Sequence, residues 1–237
     1  MSRVNERTVR TAMVLGEDAV ERLSRAHIAI IGLGGVGSYA AEAVARAGVG
    51  EITLLDSDTV SETNINRQLC ALVSTVGKPK TEVIKARIAD INPDAVVHTL
   101  DFFYSEESAQ ELFTRDYDCV IDCIDTVSAK TDLICRCAER NIPIVSSLGT
   151  GNKLDATRLE FADIYSTSVC PLARAMRQAL KKRGIAAHRV LYSREEPIKA
   201  VIAENGRYAP GSVSWVPGCA GLMLAGDAVQ TVISRRD

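Results

Sequence analysis

Residues 27–56 carry the tightest constraint in the chain. A β-branched run, His27–Ile31, meets the cluster Gly32-Leu33-Gly34-Gly35-Val36-Gly37, then an alanine-rich stretch, Ser38–Ala47, stopped by Gly48. A second apolar run, Glu51–Leu55, ends on Asp56. The pattern reads strand, glycine turn, helix, strand. Glycines at such a turn allow a tight bend and let backbone N–H groups approach a phosphate at the helix N-terminus. Asp56 stands where an acid accepts hydrogen bonds from ribose hydroxyls, and its charge would repel a 2′-phosphate, which argues against NADP. The glycine motif by itself leaves NAD, FAD and ATP open.

The same alternation continues down the chain. Apolar spacing predicts a leading helix within 5–24 through Val9, Ala12, Met13, Val20 and Leu23. It predicts further helices over 80–91, 105–114 and 128–140, and strands over 96–100, 119–121 and 142–146. Past residue 150 come a strand near 158–164, a helix from Pro171 to Lys182, a strand at 189–193 and a Pro/Gly-rich loop. The expected class is α/β: a Rossmann-like, mostly parallel sheet with helices on both faces and an elaborated C-terminal half. We read one domain over 1–237, with a nucleotide-binding core at 1–150 and a substrate-side elaboration at 151–237. Tyr208–Gly226 is uncharged, but Pro210, Gly211, Pro217, Gly218 and Gly221 interrupt it. It is expected to be a buried loop entering a C-terminal helix, and no membrane anchor.

Charge and cysteine usage narrow the class. Lys plus Arg total 28 against 30 Asp plus Glu, a formal net charge of -2, unlike a non-specific nucleic-acid coat protein. Seven cysteines include no C-x-x-C pair, so neither a disulfide framework nor a structural zinc knuckle is expected. The first 25 residues mix charged with apolar side chains, unlike a secretory leader, and the expected compartment is the reducing cytoplasm.

A polar set beside the second strand selects among nucleotides. Asp58, Asn64, Arg67 and Gln68 follow Asp56, and Lys80 comes after Gly77-Lys78-Pro79. A dehydrogenase has no use for this cluster, whereas a triphosphate under attack needs cations and amide donors around its oxygens. Asp122-Cys123-Ile124-Asp125 closes another strand, and Asp125 is placed to hold Mg²⁺ against phosphate oxygens.

These residues resemble the E1-like adenylating superfamily, which includes sulfur-carrier adenylyltransferases and ubiquitin-activating enzymes. The resemblance implies ATP and Mg²⁺ binding and formation of an acyl-adenylate on a carboxylate. It implies that Asp56 holds the ribose, Arg67 and Lys80 the phosphates, Asn64 their arrangement and Asp125 the metal. It further implies a homodimer in which Arg10 reaches the partner subunit's nucleotide. Within the superfamily, Gly35-Val36-Gly37-Ser38-Tyr39-Ala40, Asn64-Ile65-Asn66-Arg67-Gln68, Gly149-x-Gly151-Asn152-Lys153-Leu154-Asp155, Pro171-Leu172-Ala173-Arg174 and Val216-Pro217 are similar to the tRNA threonylcarbamoyladenosine dehydratases. That branch implies a tRNA substrate; the sequence leaves open whether a Na⁺ or K⁺ ion orders Gly149–Lys153, a feature the family resemblance suggests, and whether a sulfur-transfer protein docks. The other branch, adenylyltransferases of ubiquitin-like sulfur carriers, usually carries the C-x-x-C pairs absent here. Cys170 stands where the dehydratase pattern has Asp; it is either a small neutral replacement or a nucleophile.

A tRNA substrate calls for a basic footprint. Arg174, Arg177 and Lys181 are spaced by three and four on one predicted helix, with Lys182 and Arg183 at its end. Arg189, Arg194, Arg235 and Arg236 are candidates to extend it. The three histidines, His27, His98 and His188, have no catalytic partner near them in sequence and read as structural or surface groups.

Overall fold

The computed structural model describes residues 5–199 and 210–235. Helices α1 (Val9–Leu15) and α2 (Glu17–Leu23) lead into β1 (His27–Ile31), α3 (Gly37–Arg46) and β2 (Glu51–Leu55). Next come α4 (Lys80–Ile91), β3 (Val96–Leu100), α5 (Ala109–Leu112), β4 (Cys119–Asp122), α6 (Val127–Glu139) and β5 (Ile144–Ser147). The C-terminal part adds β6 (Leu159–Asp163), α7 (Pro171–Lys182), β7 (Arg189–Ser193) and α8 (Trp215–Ser234). The sheet runs β3-β2-β1-β4-β5-β7-β6, parallel except that β6 pairs antiparallel with β7. The expected α/β class holds.

Strand alternation divides the core. Ile28 and Ile30 face the side covered by α3, α4 and α8, while Ala29 and Ile31 face Leu112 of α5 and Leu133 of α6. Beneath β5 and β7, α7 seats Ala173, Met176 and Leu180. The chain leaves β1 toward β2 on one side and returns as β4 on the other, so a crevice opens above their carboxyl ends, the general ligand position of open α/β sheets.

Several expectations are corrected. The leading helix breaks at Gly16, whose φ of +92° no helix accepts; α2 buries Val20 and Leu23, while α1 buries nothing. The helix expected over 105–114 shrinks to the single turn α5, because the Ser105 and Ser108 side chains bond neighbouring backbone groups instead. The largest change concerns the Pro/Gly-rich segment. Tyr208 lies outside the described residues, and from Trp215 onward the chain is helix, not loop. Pro217 falls in the first turn, where no intrahelical N–H is needed. A Cβ on Gly221 would stand 2.2 Å from the Val36 carbonyl oxygen, so this glycine lets α8 cross α3 at close range. By length and composition α8 could cross a membrane, but ten of its twenty residues are buried against the protein's own core.

Candidate active site

The glycine turn is held from three directions. Gly32 N–H donates to Leu55 O at 2.8 Å, Leu33 N–H to Asp56 Oδ2 at 2.6 Å, and Ser38 Oγ to Gly34 O at 2.6 Å. The same Ser38 hydroxyl accepts Leu69 N–H at 3.1 Å and so latches the glycine turn to the Asn64–Gln68 segment. Gly37 lines no cavity: a Cβ there would stand 1.8 Å from Gly32 O, so it serves the close strand–helix approach.

Above this turn lies a cavity of about 330 Å³ lined by Gly32, Gly34, Asp56, Asp58, Asn64, Arg67, Gln68, Lys80 and Asp125. Residues from four separated segments thus converge as the spacing predicted. Asp56 also accepts Asp58 N–H at 2.8 Å, which bends the segment after β2 over the cavity. Lys80 is 4 % exposed, its Nζ 2.7 Å from Asp58 Oδ2 and 3.8 Å from Asp56 Oδ1. Arg67 Nη1 donates to Thr63 O and Asn66 Oδ1, both at 2.9 Å, and Asn64 Oδ1 accepts Ser61 N–H at 3.2 Å. Asp125 is exposed, with Thr126 Oγ1 at 3.4 Å. Two cations thus face three carboxylates, one positive charge short of balance before any phosphate enters.

Two features of this cavity escaped the sequence reading. Phe102, Phe103 and Tyr104 form an aromatic lip suited to a base. The signal was present, since this is the sequence's single run of three aromatics and it directly follows a strand. Behind the cavity lies a buried polar network. Asp122 Oδ2 accepts from Lys130 Nζ and Ser146 Oγ, each at 2.6 Å, and Asp122 Oδ1 accepts Ile124 N–H at 3.0 Å. His188 Nε2 lies 2.8 Å from Ser146 Oγ. Burial, its largest cause, pushes the His188 pKa down to about 4. Lys130 and Asp122 are both fully buried. Their separation of eight residues, across a strand end and a helix, hides the pair from sequence inspection. Asp122 thereby orients the Cys123–Asp125 turn from below, and of these two aspartates only Asp125 lines the cavity.

A second cavity, about 540 Å³, opens directly beside the first and shares Gly34, Arg67, Gln68, Cys123, Ile124 and Asp125 with it. Gly35, the Gly149–Lys153 loop, Cys170–Leu172 and Pro210–Ser212 complete its wall. The loop is clasped on both sides: Asn152 N–H donates to Gly211 O at 2.8 Å, and Gly211 N–H to Asn152 Oδ1 at 2.6 Å. Lys153 is 3 % exposed and its ammonium donates to Glu195 O. Cys170 is buried, and no histidine lines this cavity among the described residues, so its thiol has no imidazole base. Cys123 is no better a nucleophile: burial, then the charge of Asp122, pushes its pKa up and keeps the thiol protonated.

Other predicted residues stand apart. Arg10 lies on exposed α1 and lines neither cavity. On α7, Arg174, Lys181, Lys182 and Arg183 are exposed, whereas Arg177 turns inward and donates to Thr167 O at 2.9 Å. Arg189 is held by Asp227 at 2.6 Å and stacks over Phe161; Arg194 pairs with Glu160 at 3.5 Å; Arg235 donates to Asp118 O and Asn141 O. Arg236 lies outside the described residues.

A glycine turn, the acids Asp56 and Asp58, the cations Arg67 and Lys80 and the exposed Asp125 gather around one crevice at the carboxyl ends of the strands, the arrangement of a nucleotide-binding enzyme. The chain belongs to the ThiF family, whose profile matches residues 6–237. Among its relatives, the tRNA threonylcarbamoyladenosine dehydratase of Bacillus subtilis is 44% identical, covering 94% of this chain and 93% of that protein. The crystal structure of the Escherichia coli tRNA N6-threonylcarbamoyladenosine dehydratase in complex with ATP superposes with a TM-score of 0.89 at 34% identity, covering 97% of this chain and 94% of that one. The molybdopterin-synthase adenylyltransferase of Haemophilus influenzae is 36% identical, but covers only 54% of this chain and 53% of its own length.

Proposed function

We propose that this chain is an ATP-dependent dehydratase of N6-threonylcarbamoyladenosine in tRNA. One observation carries the reading: two cavities, one of nucleotide type and one lined by the C-terminal elaboration, meet at Arg67 and Asp125. A nucleotide in the first and a modified base in the second would place the α-phosphorus beside the threonyl carboxylate. Near-full-length similarity to dehydratases, against half-length similarity to a sulfur-carrier adenylyltransferase, supports the same substrate.

A carboxylate is a poor electrophile, so its oxygen first attacks the α-phosphorus and pyrophosphate leaves. Lys80 and Arg67 stabilise the charge that builds on the phosphate oxygens. The residues fit a magnesium ion as well: Asp125 pairs with no cation among the described residues, and the lining is short of positive charge. Mg²⁺ supplies that charge when bound, with Asp125 as its holder. A nucleophilic atom of the ureido group then closes on the activated carbonyl and AMP departs. Because the nucleophile is tethered to the same base, its effective concentration is high and no covalent enzyme intermediate is needed. Neither Cys170 nor Cys123 is required.

The reading extends to a cytoplasmic homodimer. Val9, Met13 and Val14 of α1 are exposed beside Arg10, which suits an apolar subunit contact that carries Arg10 to the partner's nucleotide. A Na⁺ or K⁺ ion ordering the Gly149–Lys153 loop, where the buried Lys153 ammonium donates to Glu195 O, and a docked sulfur-transfer protein belong to the same reading.

The deciding experiment incubates the protein with ATP, Mg²⁺ and tRNA bearing the open base, followed by nucleoside mass analysis. Loss of one water, with AMP and pyrophosphate released, is the expected result. No mass change, together with pyrophosphate exchange stimulated by a Gly-Gly-terminated carrier protein, would reassign the chain to carrier activation.

For tRNA docking, the exposed pair Arg174 and Lys181 is the informative target. Arg174→Glu with Lys181→Glu is expected to weaken tRNA binding and flatten its salt dependence while ATP affinity stays the same. Unchanged binding would remove α7 from the docking surface. Arg177 is unsuitable for this test because its substitution also releases the Thr167 turn.

A further inference from the structure

At the opposite end of the sheet from the nucleotide cavity, the strand register assembles a second group of polar side chains. His27 and Glu51 open β1 and β2 and are paired in register; Thr53 is paired with His98 of β3. Alternation places His27, Glu51, Thr53 and His98 on one face of the sheet. His98 Nε2 lies 2.7 Å from Glu51 Oε1, and His27 Nδ1 lies 3.5 Å from the same oxygen. One ligand atom from each of the three residues falls within 4.8 Å of the others. Five residues of strand, roughly 16 Å, separate His27 from Gly32, so this group is independent of the ATP site.

We propose that His27, Glu51 and His98 form a binding site for a divalent transition-metal ion of the zinc class. Two imidazoles and one carboxylate are the donor set such ions take with a fourth position left for water, whereas Mg²⁺ and Ca²⁺ prefer oxygen alone. The spacing is near what coordination needs. Ligand atoms about 2.0–2.1 Å from a tetrahedral ion stand roughly 3.3 Å apart, so the 3.5 Å pair already fits and the 2.7 Å pair must open slightly. Glu51 and His98 can supply that movement, because their side chains are 40% and 24% exposed, while His27 is anchored at 9%.

The outer contacts point the same way. His27 Nε2 lies 2.8 Å from Thr53 Oγ1, leaving Nδ1 as the nitrogen turned toward Glu51. A metal-bound imidazole ordinarily has its second nitrogen held in this manner. The Tyr117 ring packs edge-on against His27 with centroids 4.7 Å apart. The ion would tie the edge strand β3 to β2 and β1 by side chains as well as by backbone.

The test strips the full chain with a chelator and titrates it with Co²⁺, followed by visible absorption, and with Zn²⁺, followed by calorimetry. The expected result is one ion per chain, with d–d bands of a low-symmetry nitrogen/oxygen site and no thiolate-to-metal charge-transfer absorption. His98→Ala and Glu51→Gln should abolish stoichiometric binding. Thr53→Val, which keeps all three donors and removes the outer hydrogen bond, should weaken it about 10–100-fold. Zn²⁺ should raise the thermal midpoint of the wild-type chain and leave that of His98→Ala unmoved. No stoichiometric binding, binding that survives both His98→Ala and Glu51→Gln, or a thiolate absorption band would each overturn the site.

Discussion

Asp125→Ala is expected to lower ATP-dependent conversion of the modified base about 10²–10³-fold without lowering the thermal midpoint. The side chain is exposed and has only a 3.4 Å contact with its neighbour Thr126, so its removal breaks no packing. Asp125 lines both cavities, and in the proposed mechanism it stands where carboxylate and α-phosphorus would meet. The loss should therefore fall on kcat more than on the KM for tRNA, whose proposed docking face on α7 lies elsewhere. Single-turnover kinetics beside a melting curve would separate the two effects. A variant that keeps activity, or loses it only by unfolding, would remove Asp125 from the chemistry.

Lys130→Met is expected to produce the largest loss of stability of any substitution at this site, about 3–5 kcal/mol. Lys130 and Asp122 are both fully buried, and removing the ammonium leaves a carboxylate in the core with only Ser146 and Ile124 to solvate it. For a chain of this length that corresponds to a melting point lowered by roughly 6–20 °C. Adding Asp122→Asn should recover part of the loss, because the uncompensated charge is then gone. If the single variant melts like the wild type, the pair contributes no stability. The same network predicts an acid limb. His188 is neutral when folded, with its pKa held at about 4, while the unfolded chain takes up a proton below the usual value of 6.5. Between these values the unfolded state binds more protons, so stability is complete above about pH 6.5 and falls as the pH drops toward 4. His188→Gln should make that decline shallower in pH-dependent denaturation curves.

Much of the nucleotide site is legible in linear sequence because its parts sit at strand ends and turns, where residue type follows local geometry. Gly32 and Gly37 must be small for the strand-to-helix turn, Asp56 follows the end of a strand, and Lys80 opens α4 after Pro79. The C-terminal half is less legible. Pro217, Gly218 and Gly221 read as loop residues by local propensity, yet Pro217 tolerates a first helical turn and Gly221 is required by the α3–α8 crossing. The basic helix illustrates the same limit. Spacing groups Arg177 with Arg174 and Lys181, but the Thr167 turn takes its guanidinium inward.

By itself the sequence determined the α/β class, the glycine turn with its acid and cations, and the kinship of nearly the whole chain to adenylating enzymes. These are properties of periodicity and of short motifs whose backbone demands are local. Only the tertiary structure decided the buried Asp122–Lys130 pair, the joining of two cavities at Arg67 and Asp125, and the grouping of His27, Glu51 and His98. Each depends on strand register and helix docking, which bring together residues eight to seventy-one positions apart. Such contacts arise when the sheet buries its two faces, and no local preference of the residues involved foreshadows them.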